Sequence, residues 1–331
     1  MSLSYTWRLL CLCCAAFFVL HLALAVATRL SVGTAMRMAT RMKPSSAARF
    51  LFFLRISPMT LTIFAVLAFC VPSYLWLEPQ AAGEKVGFIC FAMAILGAVI
   101  WALSITRVVS AVRGTVKYLH QCERHGRKIN VPGEPSPALL LADKAPVLAV
   151  AGVVHPRLVI SKRVFHGLNL EQREAALLHE RAHRTSRDNI KRFLILLSPD
   201  VLPFVGTFRA LEHSWAKFTE WAADDQAVEG DSHRALSLAS ALVAVAKMGS
   251  KPKLSYLFSS LLHSSLLHED HELTERVDRL LRPQPNPGKP AEVLIPFLTS
   301  AGALLTCAAV LVLLWPGSLS LVHQALERLV H

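Results

Sequence analysis

The stretch NLEQREAALLHERAHRTSRDN, from Asn169 to Asn189, decides how this chain reads. Asn169 can cap a helix, and Gln172 three residues on completes a capping box. The pattern predicts a helix over 170–189, with Ala176, Leu177 and Ala182 at apolar positions. Within it, His179-Glu180-Arg181-Ala182-His183 sets two imidazoles four residues apart. Side chains so spaced leave one helix face, so both rings can reach a single ion. Zinc takes imidazole nitrogen at about 2.0–2.1 Å and keeps an open position where it is catalytic. Glu180, beside the first ring, overlooks that position and can take a proton from a water attacking a carbonyl.

Working outward, 146–151 and 156–160 read as two short strands rich in β-branched residues, separated by Gly152–His155. One of them can lie along a cleft and pair with an extended substrate. A second helix is expected over about 210–228. It carries Glu220-Trp221-Ala222-Ala223-Asp224-Asp225. Alone, Glu220 and Asp224 would be a solvated acidic face. With His179 and His183, Glu220 supplies the carboxylate of a two-histidine, one-glutamate zinc site. Asp224, one turn on, is placed to accept a ring N–H from a ligand histidine. Asp188 reads equally as such an orienting acid or as a helix-end charge. His233, opening a third helix over 233–247, reads as a surface residue sooner than as an oxyanion donor. In His268-Glu269-Asp270-His271-Glu272 the histidines are three apart with no third ligand, so a polar loop is expected. The amphipathic turn 273–280, with Arg276, can dock beneath the site.

The rest of the chain reads as membrane. It has 331 residues, 53% of them hydrophobic, and a mean hydropathy of +0.43. The apolar residues bunch into four runs, 9–28, 56–77, 86–106 and 293–314, each long enough to cross a hydrocarbon core of about 30 Å. Pro58, Pro72 and Pro296 are expected near span ends, where a missing N–H costs least. Six of seven cysteines lie inside apolar runs, which excludes a disulfide framework or a paired Cys-x-x-Cys zinc site. The formal charge of +12 accompanies no nucleic-acid-binding pattern. It concentrates between spans one and two (Arg29 to Arg55, no acid) and after span three (Arg107 to Lys128). The positive-inside rule places both segments in the cytosol, with the N-terminus and the C-terminal tail outside. Ala25-Val26-Ala27 resembles a signal-peptidase site, but cleavage there would export the all-basic segment, so span one is expected to stay. His21 within it is expected to face neighbouring helices. The breaker cluster 131–137 marks a boundary, the apolar 193–208 stretch a buried or membrane-grazing hairpin, and 283–290 a stiff linker. Three regions result: a three-helix membrane region over 1–106, a cytosolic α+β domain over 107–290, and a fourth span with a short external tail over 291–331.

Taken together, the motifs in 152–160, 178–189 and 220–225 resemble the BlaR/MecR-type membrane zinc metallopeptidases. The order of three spans, protease segment and fourth span matches as well. The resemblance implies an α-helical membrane protein with four transmembrane helices and a cytosolic gluzincin-like α+β domain holding one Zn2+ per chain. His179, His183 and Glu220 would be ligands, Glu180 the catalytic base and Asp224 the orienting acid. It implies an endopeptidase in regulatory signalling, whose protein substrate is a transcriptional repressor. Two features depart from the family: Ala223 stands where cysteine is frequent, and only Gly317–His331 follows the fourth span, where the antibiotic sensors carry a penicillin-binding domain. An HtpX-like quality-control protease is the alternative, although such chains place two spans on each side of the motif. A non-catalytic membrane signal transducer is another, and the intact Glu180 tells against it.

Overall fold

A computed structural model describes residues 5–77, 86–142, 147–201, 207–248, 263–265 and 270–282, with isolated positions at 320 and 324. The expected fourth span, the 283–290 linker, and His268 and Glu269 lie outside these residues.

Among the described residues, three helices are long and apolar enough to cross a membrane: α1 (Tyr5–Ala39), α2 (Pro44–Leu77) and α3 (Phe88–His125). Pro44 opens α2 in its first turn, where no N–H is missed. Pro58 does not lie near a span end, as expected, but inside α2. The carbonyl it leaves without a backbone donor, Leu54 O, accepts instead from Ser57 Oγ at 3.0 Å. A five-residue π turn at Val66–Cys70 follows. Gly97 lets α3 approach α1 closely, since a Cβ there would collide with the Cys14 carbonyl. No break occurs at 106: α3 runs on through the basic stretch to His125.

Beyond α3 lies a five-stranded mixed sheet in the order β1 (Arg127–Ile129), β2 (Ala138–Leu141), β4 (Arg157–Ser161), β3 (Leu148–Ala151), β5 (His263–Ser265). Strands β2 and β4 are parallel and the other pairs antiparallel. The two strands expected from sequence are β3 and β4. The breaker cluster 131–137 is not a boundary; it connects β1 to β2 within the sheet. All four residues of β2 are buried, so it carries no alternation.

Among the described residues the domain also has the helices α4 (Lys162–Gly167), α5 (Leu170–Thr185), α6 (Asp188–Leu197), α7 (Thr207–Val228), α8 (Ser232–Met248) and α9 (Asp270–Leu281). The capping box forms, with Gln172 N–H to Asn169 Oδ1 at 2.8 Å and Asn169 N–H to Gln172 Oε1 at 3.1 Å. The expected single helix over 170–189 is two helices, broken at Arg187, whose φ is 55°. One sheet face (Leu140, Val150, Leu158, Ile160) packs on Ala176 of α5 and on Leu242 and Val245 of α8. The opposite face (Leu139, Leu141, Val159) packs with Cys122 of α3. Helix α7 lies against α2, with Leu211, Trp215 and Phe218 meeting Ala47, Ala48, Leu51 and Phe52. The 193–208 stretch forms the end of α6 and the start of α7 among its described residues, with Ile195 and Phe208 in that same core.

Candidate metal centre

His179 and His183 sit on α5 where it packs against α7, and both rings are buried. Their Nε2 atoms are 3.1 Å apart. Glu220, on α7, brings Oε2 to 3.5 Å from His179 Nε2 and Oε1 to 3.5 Å from His183 Nε2. A tetrahedron with bonds of about 2.0–2.1 Å has edges of about 3.3–3.4 Å, so these spacings suit one ion between the three groups. The His179, His183 and Glu220 ligand atoms form one buried group able to hold a metal ion.

Each ring is oriented from behind. Asp224 Oδ1 lies 2.9 Å from His179 Nδ1, and Asp188 Oδ2 lies 2.9 Å from His183 Nδ1. A proton on each Nδ1, donated to a carboxylate, leaves both Nε2 lone pairs for the ion. Asp188, ambiguous in the sequence, is thus an orienting acid, aimed there by the left-handed turn at Arg187. Lys191 Nζ donates to its other oxygen at 2.8 Å. From α9, the buried Arg276 reaches Asp224 through Nε at 2.9 Å and Nη2 at 2.6 Å, and Glu220 Oε2 through Nη1 at 3.1 Å. The expected docking of this turn beneath the site therefore occurs, and its arginine ties Glu220 to Asp224.

Glu180 is buried on the same helix. Its Oε2 accepts the Val150 N–H of β3 at 3.1 Å, while Oε1 has no hydrogen-bond partner among the described residues. Asn189 donates its Nδ2 to the carbonyls of Val150 (3.0 Å) and Gly152 (2.9 Å). Sequence reasoning gave Asn189 no role; its only signal is its place beside Asp188, just past a polar break in the helix. Glu134, bridged by Arg184 and near Arg181, also went unread, being remote in sequence. His233 is exposed and lies 3.7 Å from Glu171, away from the centre. Asp270, His271 and Glu272 open α9 and are not a loop.

Charge explains what this arrangement attracts. Burial disfavours a positive His183 ring, but the Glu220 and Asp188 carboxylates overcome it and push the imidazole up to about 10. His179 is raised too, against its burial, by Asp224 and Glu220. Glu220, buried against His183 and Arg276, is held well below the usual carboxylate range, and Asp224, buried against Arg276, falls to about 2. A positive charge between the rings is favoured, whether carried by protons or by a metal ion. Burial raises Glu180 to about 7, despite the opposing pull of His179 and His183.

No protein-family model matches this chain, and no curated protein matches it.

Proposed function

We propose that this chain is an integral-membrane zinc endopeptidase that cuts a protein at the cytoplasmic face, in the regulatory manner of the BlaR/MecR-type enzymes it resembles. The observation that carries the reading is the buried group of His179 Nε2 and His183 Nε2, 3.1 Å apart, and the Glu220 carboxylate, whose Oε2 lies 3.5 Å from the first ring nitrogen and whose Oε1 lies 3.5 Å from the second. Nitrogen and carboxylate donors in this set suit Zn2+. A bound zinc ion supplies Lewis acidity toward the scissile carbonyl and the attacking water.

The chain's own residues supply the rest. Glu180 holds one oxygen on the Val150 N–H and leaves Oε1 open. It can take a proton from water there and return it to the departing amine. An acidity near 7 suits both roles at neutral pH. Asp224 and Asp188 hold the two rings in the tautomer that binds metal. An extended peptide is expected against the outer edge of β3, which β5 now occupies, so the substrate has to displace that short strand. The basic segments flanking the spans support a cytosolic position for the domain.

The test is zinc content and casein cleavage by the purified chain in detergent, wild type against Glu180→Gln. Zinc is expected near one per chain in both. Cleavage is expected to fall by about 10²–10⁴ in the variant. Equal cleavage by the two proteins would show that Glu180 is not the base, and zinc-free wild type would remove the metal reading.

A further inference from the structure

A cavity of about 170 Å³ opens beside the metal centre, and the function proposed above does not use it. His183 forms its inner wall. Val150, Val153, Val154 and Ile190 line its sides, and Arg187 stands at its mouth. It shares Val150, whose N–H holds Glu180, and His183 with the candidate metal centre, so it lies next to that centre on the Asp188 side of the His183 ring.

Three observations say what it takes. Aliphatic side chains (Val150, Val153, Val154, Pro156, Ile190) make up half of its lining, the rest being His183, Arg184, Arg187, Asp188 and Asn189, and Val154 is 78% exposed on its rim, an apolar residue left to water. Its volume is that of about five or six water molecules, enough for a branched aliphatic side chain. The two arginines at its edge differ. Arg184 is held by Glu134. Arg187 is exposed and makes no side-chain ion pair or hydrogen bond among the described residues. Arg187 also sits at a φ of 55°, a conformation that asparagine or glycine adopts more readily. A long cation thus stands at a backbone position unsuited to it, at the edge of a pocket whose other charged groups are already paired: Asp188 with His183 and Lys191, and Arg184 with Glu134.

We infer that this cavity is a substrate subsite: it receives an aliphatic side chain adjoining the scissile bond, and Arg187 reads a carboxylate on the next residue outward. The inference rests on the peptidase reading and adds a substrate class, peptides with an aliphatic–acidic pair at the cut.

The full-length chain in detergent is assayed with quenched fluorescent peptides whose cleavage position carries Leu-Glu, Leu-Lys or Ala-Glu. Binding of the same peptides to Glu180→Gln is followed by fluorescence anisotropy, which needs no turnover. Wild type is expected to favour Leu over Ala roughly tenfold or more. It is expected to favour Glu over Lys about two- to fivefold, the scale of one exposed ion pair. Arg187→Asp, which suits the left-handed backbone, is expected to reverse the Glu/Lys preference in both readouts. Val153→Phe, which fills the cavity, is expected to abolish the Leu/Ala preference. If casein cleavage depends on Glu180 but neither preference moves with its variant, the subsite is wrong and the peptidase reading stands. If binding follows the expected pattern while no Glu180-dependent cleavage occurs, the peptidase reading is wrong and the pocket remains as a peptide-binding site.

Discussion

Arg276 carries more of the metal centre than its distance in sequence suggests. It is 2% exposed and bonds both oxygens of Asp224 and one of Glu220. Arg276→Met keeps most of the side-chain volume but leaves two buried carboxylates without their cation. Loss of one partner from such a cluster costs about 3–5 kcal/mol. Because Asp224 and Glu220 set the ring and the third ligand, zinc affinity is expected to fall about 10–100-fold. Melting curves and competition with a chromophoric chelator read the two effects; an unchanged zinc affinity would make Arg276 a purely structural residue. The same centre predicts a pH dependence. A histidine in an unfolded chain titrates near 6.5, whereas His183 is raised to about 10. Its contribution to the stability of the metal-free protein is thus complete below pH 6.5 and lost as pH rises through 10. Glu180, raised from 4.5 to about 7, adds a loss across that lower interval as it ionises in a buried place. Asp224 acts in the opposite direction, stabilising above its ordinary 3.8 and failing as pH falls toward 2. EDTA-treated protein is therefore expected to melt progressively lower from pH 7 to 10, while zinc-loaded protein, its rings already deprotonated, holds its melting temperature. Parallel curves would contradict this. The sequence shows His179, Glu180 and His183 because a helical period brings them together locally. Glu220 and Asp224 are legible only beside them, and Arg276 scarcely at all, since 52 residues separate it from Asp224.

Between elements, the junction of α5 and α6 does most of the positioning. A continuous helix over 170–189, the reading its polar run invites, would send Asp188 and Asn189 along the helix axis. The left-handed Arg187 turns them back, Asp188 to His183 and Asn189 to the carbonyls of Val150 in β3 and Gly152 just past it. Local pattern does not reveal the break, because no glycine or proline marks it and the bonds that hold it come from β3. Strand β2 was illegible for a related reason: a fully buried four-residue run has no period to detect. The capped start of α5, the two strands before it and the three apolar helices were legible, since caps, β-branched runs and long hydrophobic stretches are local signals. Helix α3 runs past 106 because mixed basic sequence continues a helix as well as apolar sequence does. Asn189→Leu tests the coupling of α6 to β3. It strips both carbonyls of their buried donor, so a loss of about 1–3 kcal/mol is expected. Zinc content should stay, because no ligand or orienting acid is touched, while peptide turnover falls as Val150 loosens its hold on Glu180. If zinc binding were lost along with turnover, Asn189 would belong to the metal centre itself.

At the scale of the molecule, the domain that carries the candidate metal centre is fastened to the apolar helices by buried polar contacts. Arg55 of α2, 1% exposed, donates to Glu212 at 2.7 Å and to Ser198 Oγ at 2.8 Å. His21 of α1 meets the Pro199 carbonyl at 3.2 Å, so this histidine faces the α6 end of the domain. Helix α7, which carries Glu220, runs along the half of α2 that starts at Pro44. Helix α1 has 35 residues and spans about 52 Å, more than the roughly 30 Å of a hydrocarbon core. Its far end therefore stands clear of the lipid, beside the domain. On the proposed membrane reading, the 40–43 turn and the candidate metal centre are expected on one face of the membrane and the start of α3 on the other. Single cysteines at Thr40, Val154 and Phe88, each placed in a background without the native cysteines, are labelled with an impermeant maleimide in sealed vesicles of known orientation. Thr40→Cys and Val154→Cys are expected to label together, from the cytoplasmic face if the basic segments set the orientation. Phe88→Cys is expected to label only from the opposite face. Labelling of Thr40→Cys and Val154→Cys from different faces would separate α7 from α2 across the bilayer, and Glu220 could not then reach the two histidines by the packing seen here.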